Sequence, residues 1–201
     1  MNFDTAQLFA VASALGWASG LRLYAVVFLT GLAGQLGWVN LPSGLQVLAH
    51  PLMLSASGLM FALEFFADKI PGVDTVWDLV HTAVRIPAGA ALAAGVFGAD
   101  EATWATVAAL LGGTLATTSH VAKATTRAAA NTSPEPFSNL ALSLVGDGVV
   151  PFVLWLSWAH PIALFAVLAV ASVAMIAIVC VLFRSLKALV RRVVPSSAAA
   201  V

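Results

Sequence analysis

"DTVWDLVHTAVR", residues 74–85, sets Asp74, Asp78, His81 and Arg85 at spacings of four, three and four. That rhythm places all four ionisable groups on one face of an α-helix. The remaining positions are mostly apolar. Such a helix must turn its charged stripe inward to partners and its other faces to an apolar surrounding.

The rest of the chain supplies that surrounding. Of 201 residues, 61% are hydrophobic and 9% charged, with a mean hydropathy of +0.98. Soluble domains carry roughly 25% charge, and a soluble fold of this size cannot hide so much apolar surface. The composition points to an integral membrane protein whose first partner is the lipid bilayer. The net charge is zero, which removes the electrostatic basis for nucleic-acid binding. The single cysteine, Cys180, cannot form an internal disulfide and reads as a packing residue. "MNFDTAQ" lacks a basic leader, so no cleaved signal peptide is expected.

A crossing needs about 20 apolar residues. Six segments meet that description, at 7–36, 46–67, 75–98, 103–129, 139–158 and 161–184. The fold class is therefore all-α, a polytopic membrane bundle of about six spans forming a single domain over 1–201, with 191–201 as a disordered tail. Lysines and arginines favour the cytoplasmic side. Lys69, Lys123, Arg127 and the tail "RSLKALVRR" fall on one side, and "GADEATW" with Asp100 and Glu101 on the other. Trp38, Trp104, Trp155 and Trp158 mark the outer edge as an aromatic belt. Six spans put both termini in the cytoplasm.

The first and fourth segments are longer than a straight crossing, and each has a weak point: "GWASG" (16–20) and "GGTLATTS" (112–119). Arg22 follows the first and His120 the second. Broken first helices in two inverted halves, 1–100 and 101–190, are a transporter device. Small residues equally mark close helix packing, and both readings stay open.

Charge inside spans is expensive and marks function by default. Besides the stripe on the third segment, the fourth ends with His120, Lys123 and Arg127 on one face, and the second ends with Glu64 and Asp68 one turn apart. These three stripes are expected to face one another across a hydrated cavity. Arg22 and Asp147 lie deeper, and Arg22 needs Asp147 or Glu64 as partner. "NTSPEPFSN" (131–139) is a turn in which Pro134 and Pro136 stop the helix. Asn131, Ser133, Ser138 and Asn139 can cap its ends. Asp74 is placed to cap the start of the third helix, after Pro71 and Gly72. No cofactor is implied, and the spacing of Asp74, Asp78 and His81 is not a diagnostic metal signature. No serine elbow, HExxH or phosphate-cradling loop is present.

"ASGLRLY" (18–24), "FADKIPGVDTVWDLVHTAVRIPAGA" (66–90), "AKATTR" (122–127) and "NTSPEPFSN" together resemble a bacterial family with plant relatives, domain of unknown function number four-one-two-six. The resemblance covers nearly the whole chain. It implies a small multi-span protein of the bacterial inner membrane and carries no activity with it. Matching positions are Ser19, Gly20, Arg22, Asp68, Lys69, Pro71, Gly72, Asp74, Asp78, His81, Arg85, Lys123, Arg127, Asn131, Ser133, Pro134, Pro136, Ser138 and Asn139. Three functions remain on these residues. One is a small transporter or channel-like protein moving an ion, small solute or lipid headgroup through a polar cavity open to the cytoplasm. Another is a structural or assembly protein, a homo-oligomer among the options, whose charges are packing pairs. The last is an interfacial enzyme on lipid phosphate with His81 or His120 as acid–base group.

Overall fold

The computed structural model describes residues 4–70, 72–131 and 137–193. Among them there is no strand; the chain is a helical bundle. Its helices are α1 (Thr5–Gln35), α2 (Pro51–Ala67), α3 (Val73–Gly95), α4 (Ala102–Ala130), α5 (Phe137–Ala159) and α6 (Pro161–Val193), with a 3-10 helix at Ser43–Ala49 before α2. Helix starts follow local chemistry. Pro51 opens α2, where His50 Nδ1 accepts from the Leu52 N–H at 3.2 Å. Gly72, at φ 88°, opens α3 in a conformation that favours glycine.

Three helices are by themselves long and apolar enough to cross a membrane: α1, α5 and the Pro161–Ser185 part of α6. The 3-10 helix and α2 would make a fourth crossing, bent by 68° between them. The amphipathic α3 and α4 complete the bundle, with one polar face each turned inward.

The first helix departs most from expectation. As one rod its 31 residues would measure about 46 Å, against a hydrocarbon core of about 30 Å. Arg22 leaves helical geometry at φ −149°, ψ 85°. Up to that point the chain runs alongside α4. Phe9 meets Phe97 and Trp104, Gly16 lies on Gly112, and Gly20 lies on Ala116 and Ser119. After Arg22, Phe28 meets Phe61 and Gly58, and Gly31 meets Leu48 and Leu54, so residues 23–35 run against α2. Yet α2 and α4 point the same way, since Asp68 beyond α2 pairs with Arg127 near the end of α4. The two limbs of α1, 5–21 and 23–35, are therefore antiparallel.

This fold-back changes the topology. The first segment is two passes instead of one. The start of α1 lies at the end of the bundle opposite the 68–74 and 131–139 turns, with Phe97 and Trp104. Helix α6 returns from the far end of α5 toward those turns. The start of α1 and the later part of α6 thus lie toward opposite ends of the bundle. The break falls at Arg22, just beyond "GWASG". Helix α4 runs unbroken through "GGTLATTS" and parallel to the first limb, whereas inverted counterparts would oppose each other.

The small residues of both stretches serve packing. From Ala10 to Leu21 the first limb is buried on all sides, packed among α3, α4, α5 and α6, which explains its apolar circumference. A Cβ on Gly16 would strike the backbone of Gly112. One on Gly112 would strike the Ala93 side chain, and one on Gly89 would come 2.8 Å from the Ala116 side chain. Helices α1, α3 and α4 thus approach backbone to backbone, as small residues permit in membranes. Cys180 is not a packing residue; it lies exposed on α6.

Two outcomes follow. In a Cys180→Ala background, cysteines at Asp4 and Trp38 should react with an impermeant thiol reagent from one side and a cysteine at Phe137 from the other; same-side labelling of Asp4 and Phe137 would refute the fold-back. Gly112→Ala should destabilise by about 1–3 kcal/mol through overpacking, whereas Gly148→Ala, with nothing within 4 Å of its new methyl, should leave the detergent melting temperature unchanged or raised.

Candidate functional site

Five cations and five carboxylates meet inside the bundle: Arg22, Lys69, Arg85, Lys123 and Arg127 with Glu64, Asp68, Asp74, Asp78 and Asp147. These cations are every lysine and arginine before residue 184. The cluster is neutral, as a group removed from water must nearly be.

Each helix contributes by its own periodicity. Glu64 and Asp68 come from the end of α2, Asp74, Asp78 and Arg85 from α3, Lys123 and Arg127 from α4. Asp68 is wholly buried and takes three cations: Arg22 at 3.2 Å, Lys123 at 3.0 Å and Arg127 at 2.8 Å. Arg85, also wholly buried, bridges Glu64 at 2.7 Å and Asp78 at 2.6 Å. Lys123 reaches Asp78 at 3.1 Å and donates to the Leu21 carbonyl at 2.9 Å, next to the break in α1. Arg22 Nη2 pairs with Asp147 at 2.9 Å and donates to the Ser143 hydroxyl at 2.9 Å. The deep pair Arg22–Asp147 is the one the sequence suggests; Glu64 serves Arg85 instead.

The polar turns clamp one end. The Asp74 carboxylate accepts from the Gly72 N–H at 2.8 Å, from Asn131 at 3.2 Å and from Asn139 at 2.9 Å. Asp74 is thus not the cap of α3, whose cap position is Gly72; it ties the start of α3 to the end of α4 and the start of α5. Asn131 is the cap residue at the end of α4, as expected, and its side chain also donates to Asp74; Asn139, inside α5, donates to Asp74 as well. Ser138 is half-buried and makes no hydrogen bond among the described residues. Ser133, with Pro71, Pro134 and Pro136, lies outside the described residues.

The two histidines divide. His120 belongs to the network's edge, with Nε2 2.8 Å from the Thr82 hydroxyl and Nδ1 3.4 Å from Arg85. The Thr82 hydroxyl already donates to the Asp78 carbonyl at 2.8 Å. It therefore accepts from His120, and the Nδ1 lone pair faces the guanidinium. His81 stands apart from the ion pairs despite its place on the stripe. Its ring stacks on Trp77 at 4.2 Å, meets Tyr24 edge-on at 5.6 Å and donates from Nδ1 to the Trp77 carbonyl at 2.8 Å.

Lys69, which the sequence offered only as a position matching the family, and Ser143, which it did not offer, are network members. Lys69 sits over the Phe65 ring and pairs with Asp147 at 3.0 Å. Ser143 had a signal: Asn139, Ser143 and Asp147 follow one another at intervals of four along α5.

Most of the cluster is closed by direct ion pairs between the stripes. One end opens. A cavity of about 470 Å³ has Arg22, Asp68, Lys123 and Arg127 at its floor and apolar walls from α5 and α6, among them Val149, Phe152, Val167 and Met175. Neither histidine lines it. No group of three metal-ligating side chains occurs among the described residues.

Glu64 and Arg85 give the cleanest energetic test, since Asp78 keeps Lys123 and Arg127 when Arg85 is removed. Glu64→Met alone should cost about 1.5–3 kcal/mol, because Arg85 Nη2 loses its buried partner while Asp78 still holds Nη1. The double variant with Arg85→Met should recover much of it in a chemical-denaturation double-mutant cycle; additive losses would show that the pair is not coupled.

No curated protein and no solved structure matches the chain. A family model, described as a domain of unknown function (DUF4126), matches residues 9–181. That match takes in both limbs of α1 and every ion pair of the network, and the chain belongs to the DUF4126 family.

Proposed function

We propose that the chain is a small inner-membrane carrier or channel-like protein that binds an ion, small solute or lipid headgroup at the open end of its charge network. The observation carrying this reading is the cavity of about 470 Å³ that ends on Arg22, Asp68, Lys123 and Arg127, at the one residue where α1 breaks. Its size lies within the range of roughly 300–1,000 Å³ usual for ligand sites. A broken helix beside a charged site is how many carriers hold a substrate. Lys69 and the basic residues late in α6 favour the cytoplasm for the network end, and Asp100 with Glu101 favours the outside for the other. On this reading, and with the fold-back, the start of α1 is outside.

A structural role is the second reading, and the closed pairs around Arg85, wholly buried with Glu64, favour it for that part of the cluster. Flux separates the two. In proteoliposomes, passage of the ions and small anions tried should exceed that of empty vesicles. Ala174→Trp, which fills the cavity from α6 without touching an ion pair, should lower it at least tenfold while the melting temperature stays within a few degrees. If no species passes faster than through empty vesicles, or if flux survives Ala174→Trp, the carrier reading is refuted and the structural one stands.

A further inference from the structure

Four features of the open cavity belong together. The first is charge: its lining holds three cations, Arg22, Lys123 and Arg127, against one carboxylate, Asp68. The second is incomplete satisfaction. Arg22 is 1% exposed, and its Nη2 makes every contact to Asp68, Asp147 and Ser143. Its Nε and Nη1 have no hydrogen-bond partner, although unpaired buried donors are costly. The third is the absence of a side chain beside those donors, where the lining is glycine. Gly146, itself part of the lining, lies beside Arg22, and even an added methyl there would only come to 3.5 Å from Nε.

The fourth feature is the walls. Above the charged floor they are hydrocarbon. Val145 and Phe152 of α5 and Val167 and Ile178 of α6 line the cavity and are exposed on the outside of the bundle. The opening therefore faces sideways between α5 and α6, through apolar rims. A hydrated inorganic ion gains nothing from such walls, and an uncharged hydrocarbon leaves the Arg22 Nε–H and Nη1–H without acceptors.

We infer that this cavity takes an anionic amphiphile from the bilayer, a lipid with a phosphate headgroup. The phosphate sits on Arg22 and Lys123, and one hydrocarbon tail lies between α5 and α6. Arg22 offers its free Nε–H and Nη1–H to phosphate oxygens in the planar geometry a guanidinium shares with phosphate. Lys123, 11% exposed at its side chain, adds a point charge. The tail covers apolar lining that the bundle itself leaves open. The inference rests on the cavity being a binding site and names its ligand class; it does not require transport.

The test is binding to the full chain in nanodiscs of phosphatidylcholine alone, read by calorimetric titration and by the melting temperature. Dodecyl phosphate carries head and tail, inorganic phosphate the head only, and dodecyltrimethylammonium a tail with the opposite charge. Dodecyl phosphate should bind saturably, at least about tenfold tighter than either control, and raise the melting temperature. Lys123→Met should weaken it. Ala174→Trp, on the wall and outside the ion pairs, should abolish it and keeps the test valid if Lys123→Met fails to fold.

Equal affinity for inorganic phosphate would overturn the role of the tail, and equal affinity for dodecyltrimethylammonium that of the head. Unchanged dodecyl phosphate binding by Ala174→Trp would overturn the location, and absence of saturable binding the whole inference. Binding without flux in proteoliposomes would refute carriage and leave this inference standing, while flux with no dodecyl phosphate binding would do the reverse.

Discussion

Asp68 is a carboxylate shut away from the surface. Its side chain is wholly buried, and an uncompensated carboxylate in such a place is penalised by several kcal/mol. The protein answers with three cations from two other helices. Arg22 from the break of α1 and Lys123 and Arg127 from α4 all converge on the residue just beyond α2. Much of the architecture follows from meeting that demand. Arg22 must be brought to Asp68, so α1 ends its first limb there. Lys123 and Arg127 must point inward, so α4 turns its polar face to the centre. Their own excess charge then requires Asp78 and Asp74 on α3, and Arg22 further requires Asp147 on α5.

Glycine supplies the close approach that these short ion pairs need. Gly16, Gly89 and Gly112 let α1, α3 and α4 touch through their backbones, which brings charged side chains on neighbouring helices within direct reach. The bundle is thus held in two layers. One is a dry seam of small residues toward the end where Phe9 meets Trp104; the other is a neutral ionic knot toward the 68–74 and 131–139 turns. Asp74 closes the knot by fastening both turns, through Gly72, Asn131 and Asn139. A run as polar as "NTSPEPFSN" belongs beside the knot because its flanking asparagines are donors to a buried carboxylate.

Much of this is legible in the sequence, because it rests on spacing. Residues four apart share a face, so the stripes of Glu64 and Asp68, of Asp74, Asp78 and Arg85, and of Lys123 and Arg127 declare that they need partners. Arg22 and Asp147 pair because each is a lone deep charge. The fold-back at Arg22 is not legible. Residues 5–35 read as one apolar run, and a change of φ and ψ at one position leaves no mark on hydropathy. His81 shares the spacing of its stripe but is drawn aside by the Trp77 ring and carbonyl, a tertiary preference invisible in periodicity. The cavity escapes too, since its walls are ordinary valines, alanines and a phenylalanine. Only their separation in space distinguishes them from a lipid-facing surface.

The fold-back bears on how the molecule can be made. Arg22 hydrogen-bonds to Ser143 across 121 positions of chain, and Lys123 reaches the Leu21 carbonyl across 102. When the first limb of α1 leaves the ribosome, the groups that neutralise its guanidinium have not been synthesised. Insertion cannot be completed one helix at a time in chain order, because the earliest helix carries a cation whose counter-charges arrive with α2 and α5. The first limb must wait at an interface, or with its arginine hydrated, until late helices close around it. A protein of modest length thereby acquires a long-range folding problem, and the helix at its centre is the first to be synthesised and among the last to be enclosed.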